Sequence, residues 1–325
     1  MKGIEFSQYK ALEALRMDEV DKPVPKDDEV LVRIAACSIN SWDWELFNAR
    51  PFVNRLMFGL FKPTRLKTLG FDIAGVVESV GDKVTRFKPG DEVYGDLSNC
   101  GWGGFAEYVA APQSALSPKP GHCSFAEAAA VPQAALLAYQ GLVNVGHLRD
   151  GLKIFINGAS GGSGSFAVQI ARQYDVEITG TCRREKMEFV RSLGVDHVID
   201  YTQEDFTQSG QRYDLIIDAQ ARHSLGEIRR ALTPDGIYVM HGGASSKLFQ
   251  CMLFGPLWSI LGKRTYRVLF HRANQGLEAI GQLIESGKIK SIIDKTFPFD
   301  QVIDALRYYG EGKARGKVVI NMEPS

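Results

Sequence analysis

At 325 residues the chain is long enough for two domains, and 45% hydrophobic against 23% charged residues is an ordinary globular balance. Thirty-eight Lys and Arg offset thirty-eight Asp and Glu, which argues against a nucleic-acid binder working through a general basic field. The five cysteines (Cys37, Cys100, Cys123, Cys182 and Cys251) include no Cys-x-x-Cys pair, so they suit a reducing compartment better than a disulfide framework.

In chain order, the N-terminus MKGIEFSQYK lacks the apolar core of a signal peptide, making a cytoplasmic location the default expectation. The first third reads as β-rich and irregular: EVLVRIAAC (29–37), FDIAGVVESV (71–80) and GGFAEYVAA (103–111) are Val/Ile-rich and separated by turns such as KPGDEV. From residue 122 the composition turns Ala/Leu-rich, predicting a helix through FAEAAAVPQAALLAYQGLV with Ser124 as N-cap. Strands and helices then alternate: LKIFIN, helix 162–174, VEITGTC, helix 184–193, DHVIDY, YDLIIDA, helix 223–232, GIYVMH. That alternation predicts βαβ units and a parallel, doubly wound α/β sheet. The apolar run 248–261 is too short to span a membrane and is interrupted by Pro256. A helix, IIDKTFPFD, another helix and the strand GKVVI close the chain.

The segment NGASGGSG (157–164) sits between the strand LKIFI and a helix. Gly158, Gly161 and Gly164 are three apart, and Ser160, Gly162 and Ser163 lie among them. Such a loop lets a pyrophosphate approach the unpaired amides of a helix N-terminus. No Gly-Lys-Ser/Thr follows, so this is not a P-loop. The next strand, VEITGTC, ends without the acid that binds the ribose of NAD. Arg183 and Arg184 stand there instead, suited to a 2′-phosphate, so NADPH is expected over NADH. The bland alternative is a pair of solvated arginines.

DEVLVRIAACSINSWDW, GFDIAGVVESVGDKVTRFKPGDEVYG, GGFAEYVAAP, AAAVPQAALLAYQGL, INGASGGSG, LGVDHVIDY and GKARGKVVI together resemble the medium-chain dehydrogenase/reductases, specifically the zinc-independent quinone oxidoreductase-like branch. The resemblance runs along essentially the whole chain. It implies a GroES-like β-rich domain (1–121 and 266–325) around a Rossmann domain (122–265), with NADPH between them. It places Asn40, Phe71 and Gln133 where related alcohol dehydrogenases carry the Cys, His and Cys ligands of a catalytic zinc, so no metal is expected. Reduction of a quinone or α,β-unsaturated carbonyl by hydride transfer is the implied activity, with Asn40 donating to the developing oxyanion and Gln133 as a second candidate donor. A satisfied buried amide is the alternative for both.

The same resemblance puts Tyr201 near the adenosine phosphate, and Ala219, His241 and Gly242 at strand ends near the ribose and nicotinamide. Arg315 and Lys317 match its basic tail motif, with an interdomain salt bridge as the alternative. Trp42, Trp44, Phe71 and Leu137 are candidate substrate-pocket residues, within an aromatic-rich stretch that also holds Phe52, Phe58 and Phe61; core packing competes for at least half of these aromatics. Segment 248–261 falls near the substrate mouth, where it would meet a lipid-like substrate, a membrane or a second subunit. A homodimer or monomer is expected. The competing functional reading is an NADPH-binding structural or sensing protein with little turnover. A short-chain dehydrogenase is not supported: the sole Tyr-x-x-x-Lys, Tyr309 to Lys313, contains two glycines near the C-terminus.

Overall fold

The computed structural model describes residues 1–50 and 52–322. The chain divides into two compact units: Met1–Gln133 with Ala273–Glu285 and Ser291 onward, and Ala134–Arg272 with Ser286–Lys290. Residues 122–133, grouped by composition with the nucleotide domain, thus belong to the first unit, and residues 266–272 to the second.

The first unit opens with β1 (Lys2–Glu5) and β2 (Arg16–Glu19), an antiparallel pair, followed by β3 (Glu29–Ile39). Two short helices follow, α1 (Ser41–Phe47) and α2 (Val53–Phe58), in a region expected to be irregular and β-rich. Asn40 and Asp43 account for α1: the Asp43 carboxylate accepts the Asn40 N–H at 2.9 Å, half of a capping box. Next come β4 (Asp72–Val80), β5 (Glu92–Asp96), β6 (Tyr108–Pro112), β7 (Ser117–Pro118) and α3 (Phe125–Ala129). Ser124 caps α3 and Glu127 returns the bond. The alanines of α3 pack on β3 and β4, which is why this helix joins the first unit. The single helix expected here breaks before α4 (Pro132–Tyr139), because Pro132 has no N–H to continue α3 but suits a first helical turn.

In the second unit the strands are β8 (Lys153–Asn157), β9 (Glu177–Cys182), β10 (His197–Asp200), β11 (Tyr213–Asp218), β12 (Leu232–Met240) and β13 (Thr265–Val268). Between them run α5 (Gly162–Ala171), α6 (Met187–Ser192), α7 (Leu225–Ala231) and α8 (Ser245–Leu261). All strand pairs are parallel, in the order β10-β9-β8-β11-β12-β13. The first strand of this unit therefore lies between the second and the fourth, and the crevice at the carboxyl ends of β8 and β11 is the switch point where doubly wound sheets bind ligands. Pro256 lies inside α8 rather than ending it. Nearby, Ser259 Oγ donates to the Gly255 carbonyl at 2.8 Å and accepts the Tyr266 N–H at 3.0 Å, tying α8 to β13.

The chain returns through α9 (Leu277–Glu285), β14 (Ile293–Pro298), α10 (Val302–Gly310) and β15 (Lys317–Asn321). The sheet of the first unit runs β14-β15-β3-β4-β5-β7. Along one edge of β3, Glu29–Arg33 pair with β6 and Ala36–Ile39 with β15, while β4 takes the other edge.

Candidate active site

Register in the first unit gathers three residues far apart in sequence. Ser38 faces Asp72 across β3–β4, and Ile39 faces Val318 across β3–β15. Asn40, at the end of β3, is thereby placed beside the first residues of β4 and β15. Its Nδ2 donates to Asp72 Oδ2 at 3.0 Å, and its Oδ1 accepts from the Lys317 ammonium. Lys317 also donates to the Ile39 carbonyl at 3.3 Å and lies 3.7 Å from Asp72 Oδ2. Gln133 contributes its backbone N–H to both Asp72 oxygens, at 3.1 and 3.2 Å. Asp72 is 0% exposed, Lys317 3% and Asn40 4%.

Burial pushes the Asp72 carboxyl up, and the Lys317 charge draws it back; burial equally pushes Lys317 down, and Asp72 draws it back. Both Asp72 oxygens act as acceptors, an arrangement that suits a carboxylate, while burial raises its pKa to about 8. Asp43, fully buried beside them, is raised to about 7 by burial, against the N–H donors of Asn40 and Gly70.

This geometry changes the reading of several residues. The Asn40 oxygen and one amide N–H are committed to Lys317 and Asp72, while the second N–H reaches only the Ser38 carbonyl, at 3.5 Å. Gln133 enters the cluster through its backbone. Lys317 is bonded within the first unit, not across an interdomain bridge. Asp43 and Asp72 were not singled out in sequence, although Asp43 stands three residues after Asn40 at capping-box spacing. A zinc ion does not fit here: the three ligand positions hold an amide, a phenyl ring and an amide, with a buried ammonium on one of them. Among the described residues no group of three His, Cys, Asp or Glu is arranged to hold a metal.

The aromatic residues separate into two groups. Trp42 meets Phe71 and Trp102 edge-on, at 6.1 and 5.8 Å between centroids, and Trp102 meets Phe71 at 4.5 Å. Phe71 is 0% exposed, hence core rather than pocket wall. Trp44, two residues along α1 from Trp42, faces the other way because two helical steps turn about 200°. It stacks on Phe47 at 5.5 Å, and its ring covers Gly310, where an added Cβ would come within 2.3 Å. Trp44 is therefore a packing contact with α10. Trp42 and Leu137 are half-buried and keep some accessible surface. Arg315 lies in the first unit, its charge acting on the Tyr308 hydroxyl.

In the second unit the glycine loop is built for close approach. Gly158 has φ +92°, and a Cβ on Gly164 would lie 2.1 Å from the Gly158 carbonyl oxygen. Gly161 is the N-cap of α5 and supplies no side-chain cap, so the first-turn amides of Gly162, Ser163 and Gly164 are left for an anion. A polar chain fixes the loop across the carboxyl ends of four strands. Thr181 Oγ1 accepts the Gly158 N–H at 2.9 Å and donates to Asn157 Oδ1 at 2.6 Å; Asn157 Nδ2 donates to Asp218 at 2.8 Å. Asp218 also accepts the Tyr238 hydroxyl and the N–H groups of Gln220 and Ala221. Asn157 opens the segment NGASGGSG, but Thr181, Asp218 and Tyr238 lie outside it and nothing local marked them.

His241, immediately after β12, approaches Ser163 Oγ with Nε2 at 3.1 Å, while its buried Nδ1 has no partner. Burial lowers its pKa to about 4, so the ring is neutral at pH 7. Gly242 lies against the Ala219 carbonyl, where a Cβ would come within 2.6 Å. The fold thus brings Ser163 to His241 and Ala219 to Gly242. At the other end of the crevice, Arg183 Nε donates to the Tyr201 hydroxyl at 2.9 Å, and the Arg222 guanidinium lies 5.2 Å over the same ring. Arg184 is more exposed and stands 3.9 Å from Asp200. Tyr201, Thr181, Gln220, Arg222, Asp205 and His223 are among the residues lining a cleft of about 360 Å³. Arg222 was missed in sequence because nothing local marks it; only the β11 end brings it to Tyr201.

Residues 26–121 match the family model described as alcohol dehydrogenase GroES-like domain, and residues 193–320 match the one described as zinc-binding dehydrogenase. The chain is 34% identical to a 2-methylene-furan-3-one reductase of Solanum lycopersicum, covering 100% of this chain and 80% of that protein. The chain belongs to the medium-chain dehydrogenase/reductases, in their quinone oxidoreductase-like branch. Two further similarities agree with this membership. An NADPH-dependent alkenal/one oxidoreductase, chloroplastic, of Arabidopsis thaliana is 32% identical over 98% of this chain and 79% of that one. The structure of a quinone oxidoreductase from Coxiella burnetii superposes with a TM-score of 0.89 at 25% identity, covering 99% of both chains. As a member of this branch the protein is an oxidoreductase that uses a nicotinamide cofactor on a small-molecule substrate. Among the described residues the zinc of the second family description has no matching donor set.

Proposed function

We propose that this protein is an NADPH-dependent reductase of quinones or α,β-unsaturated carbonyls. The observation that carries the cofactor choice is the pairing of Arg183 and Arg222 on Tyr201, with Arg183 following a strand, β9, that carries no terminal acid. Two guanidiniums there favour a 2′-phosphate by charge-assisted bonds, where a carboxylate would favour a free ribose hydroxyl. The first turn of α5, with Ser160 and Ser163, would hold the pyrophosphate. His241 with its unpartnered Nδ1, together with Gly242 and Ala219, would hold the nicotinamide end. When bound, the cofactor supplies a hydride to an electron-poor carbon.

The protein's own residues then position the reactants. The Asn40–Asp72–Lys317 cluster holds the end of β3 and the start of α1 rigid, and with them the half-buried Trp42. Trp42 offers apolar surface suited to a flat acceptor. The substrate class rests on the names of the relatives, which include an alkenal/one oxidoreductase and a quinone oxidoreductase. The Asn40 amide, with one N–H bound to Asp72 and the other reaching only the Ser38 carbonyl at 3.5 Å, favours one competing reading, a cofactor-binding protein with little turnover, since it leaves at most one weakly held donor at that position.

NADPH and NADH oxidation measured against a panel of quinones, enones and aldehydes tests the proposal. Turnover with a quinone or enone, and preference for NADPH, is the expected result. Arg183→Ala and Arg222→Ala should each raise the NADPH KM about tenfold, the loss of one charge-assisted contact, with NADH little affected. Tight NADPH binding with no turnover on any acceptor favours the competing reading, and an unchanged NADPH/NADH ratio in both variants removes the role given to these arginines.

A further inference from the structure

Helix α8 packs one face on its own unit and leaves the other bare. Cys251 and Gly255 are buried, Gly255 lying under Tyr266. On the opposite arc Phe249 is 66% exposed, Leu253 70%, Ile260 82% and Leu261 77%, with Met252 and Leu257 also exposed. These positions recur at three- and four-residue steps, so they form one continuous stripe. A monomeric surface rarely carries so large an apolar run without a use.

Charge identifies the occupant. From Gly236 to Arg272 the sequence contains no Asp or Glu, but does contain Lys247, Lys263, Arg264, Arg267 and Arg272, within a chain whose total charge is zero. Lys247 lies in the first turn of α8, and Lys263 and Arg264 follow its last residue, so cations stand at both ends of the apolar stripe. Glu227 of α7 lies near Lys247, but the segment itself holds no acid, so a two-fold pairing of this face with itself would bring mainly like charges together. An anionic lipid surface matches both features: apolar side chains enter the acyl boundary and lysines reach the headgroups. No helix among the described residues is long and apolar enough to cross a membrane, so the geometry is that of a helix lying in the interface.

We propose that the exposed face of α8 docks the protein onto anionic lipid bilayers. The inference does not depend on the substrate or cofactor assigned above. The full-length protein should be sedimented with vesicles of phosphatidylcholine alone and of phosphatidylcholine mixed with phosphatidylglycerol, at low and high salt. Binding roughly tenfold tighter to the anionic vesicles, weakened by salt, is expected from two or three lysine and arginine contacts. The variant Leu253→Glu/Ile260→Glu should lose binding to both vesicle types, and Lys263→Glu should lose mainly the anionic preference. Both changes lie on exposed positions, and an unchanged thermal melt establishes that the variants are folded. No sedimentation with anionic vesicles overturns the proposal. So does a stable dimer in lipid-free ultracentrifugation that Leu253→Glu/Ile260→Glu dissociates, which would make the face a subunit interface. Equal, salt-insensitive binding to both vesicle types overturns the role of the cations.

Discussion

Replacing Lys317 by Met removes one half of a buried ion pair while nearly keeping its volume. In the native protein its ammonium bonds Asn40 and the Ile39 carbonyl and lies 3.7 Å from Asp72. The variant leaves Asp72, 0% exposed, with only the Asn40 amide and the Gln133 N–H as partners. Breaking a buried pair in this way costs about 3–5 kcal/mol. The cost has a pH signature. Without the ammonium, the native pKa of Asp72 rises further above its unfolded value of about 3.9. A carboxyl with a raised native pKa contributes its stability fully below the unfolded value and loses it as pH rises towards the native one. With the ammonium in place Asp72 stands at about 8, so the deficit of Lys317→Met against the native protein should widen as pH rises past 8. Urea unfolding at several pH values measures it, and the added change Asp72→Asn should recover about 2 kcal/mol or more. A loss below about 1 kcal/mol that does not vary with pH would refute the assignment of a charged, coupled pair.

Gly164→Ala places a methyl group 2.1 Å from the Gly158 carbonyl, which is backbone and must move. The expected result is loss of stability together with at least a tenfold weaker NADPH affinity by fluorescence titration, whereas near-native affinity would show that the loop is not the pyrophosphate cradle. His241 titrates near 4 in the folded protein but near 6.5 when unfolded. Its stabilising share is present above pH 6.5 and is lost as pH falls towards 4, by at most about 3 kcal/mol. Compared with His241→Gln, the native protein should lose stability over that window, and parallel stability curves for the two would argue against a neutral buried ring.

The sequence by itself determined the parts whose cause is local or periodic. Alternating strands and helices after residue 150 specified the parallel sheet, and Ser124 with Glu127 three residues on wrote out a cap. The spacing of Gly158, Gly161 and Gly164 marked a tight loop, in which Gly158 by its positive φ and Gly164 by its close approach require a missing Cβ. Arg183 and Arg184, in place of an acid, pointed to the phosphorylated cofactor.

What only the tertiary structure decided depends on strand register and on helix facing. Asn40, Asp72 and Lys317 meet because β3 pairs antiparallel with both β4 and β15, a fact no local window contains. The same meeting commits the Asn40 oxygen and one of its two N–H groups to Lys317 and Asp72. Trp42 and Trp44 look equivalent in sequence, yet the turn of α1 sends one to Phe71 and the other under α10. Arg222, after β11, reaches Tyr201, after β10, only because the sheet order β10-β9-β8-β11 sets both strand ends along one edge. Pairing between distant segments costs chain entropy that local sequence cannot encode, so it is settled by the whole fold.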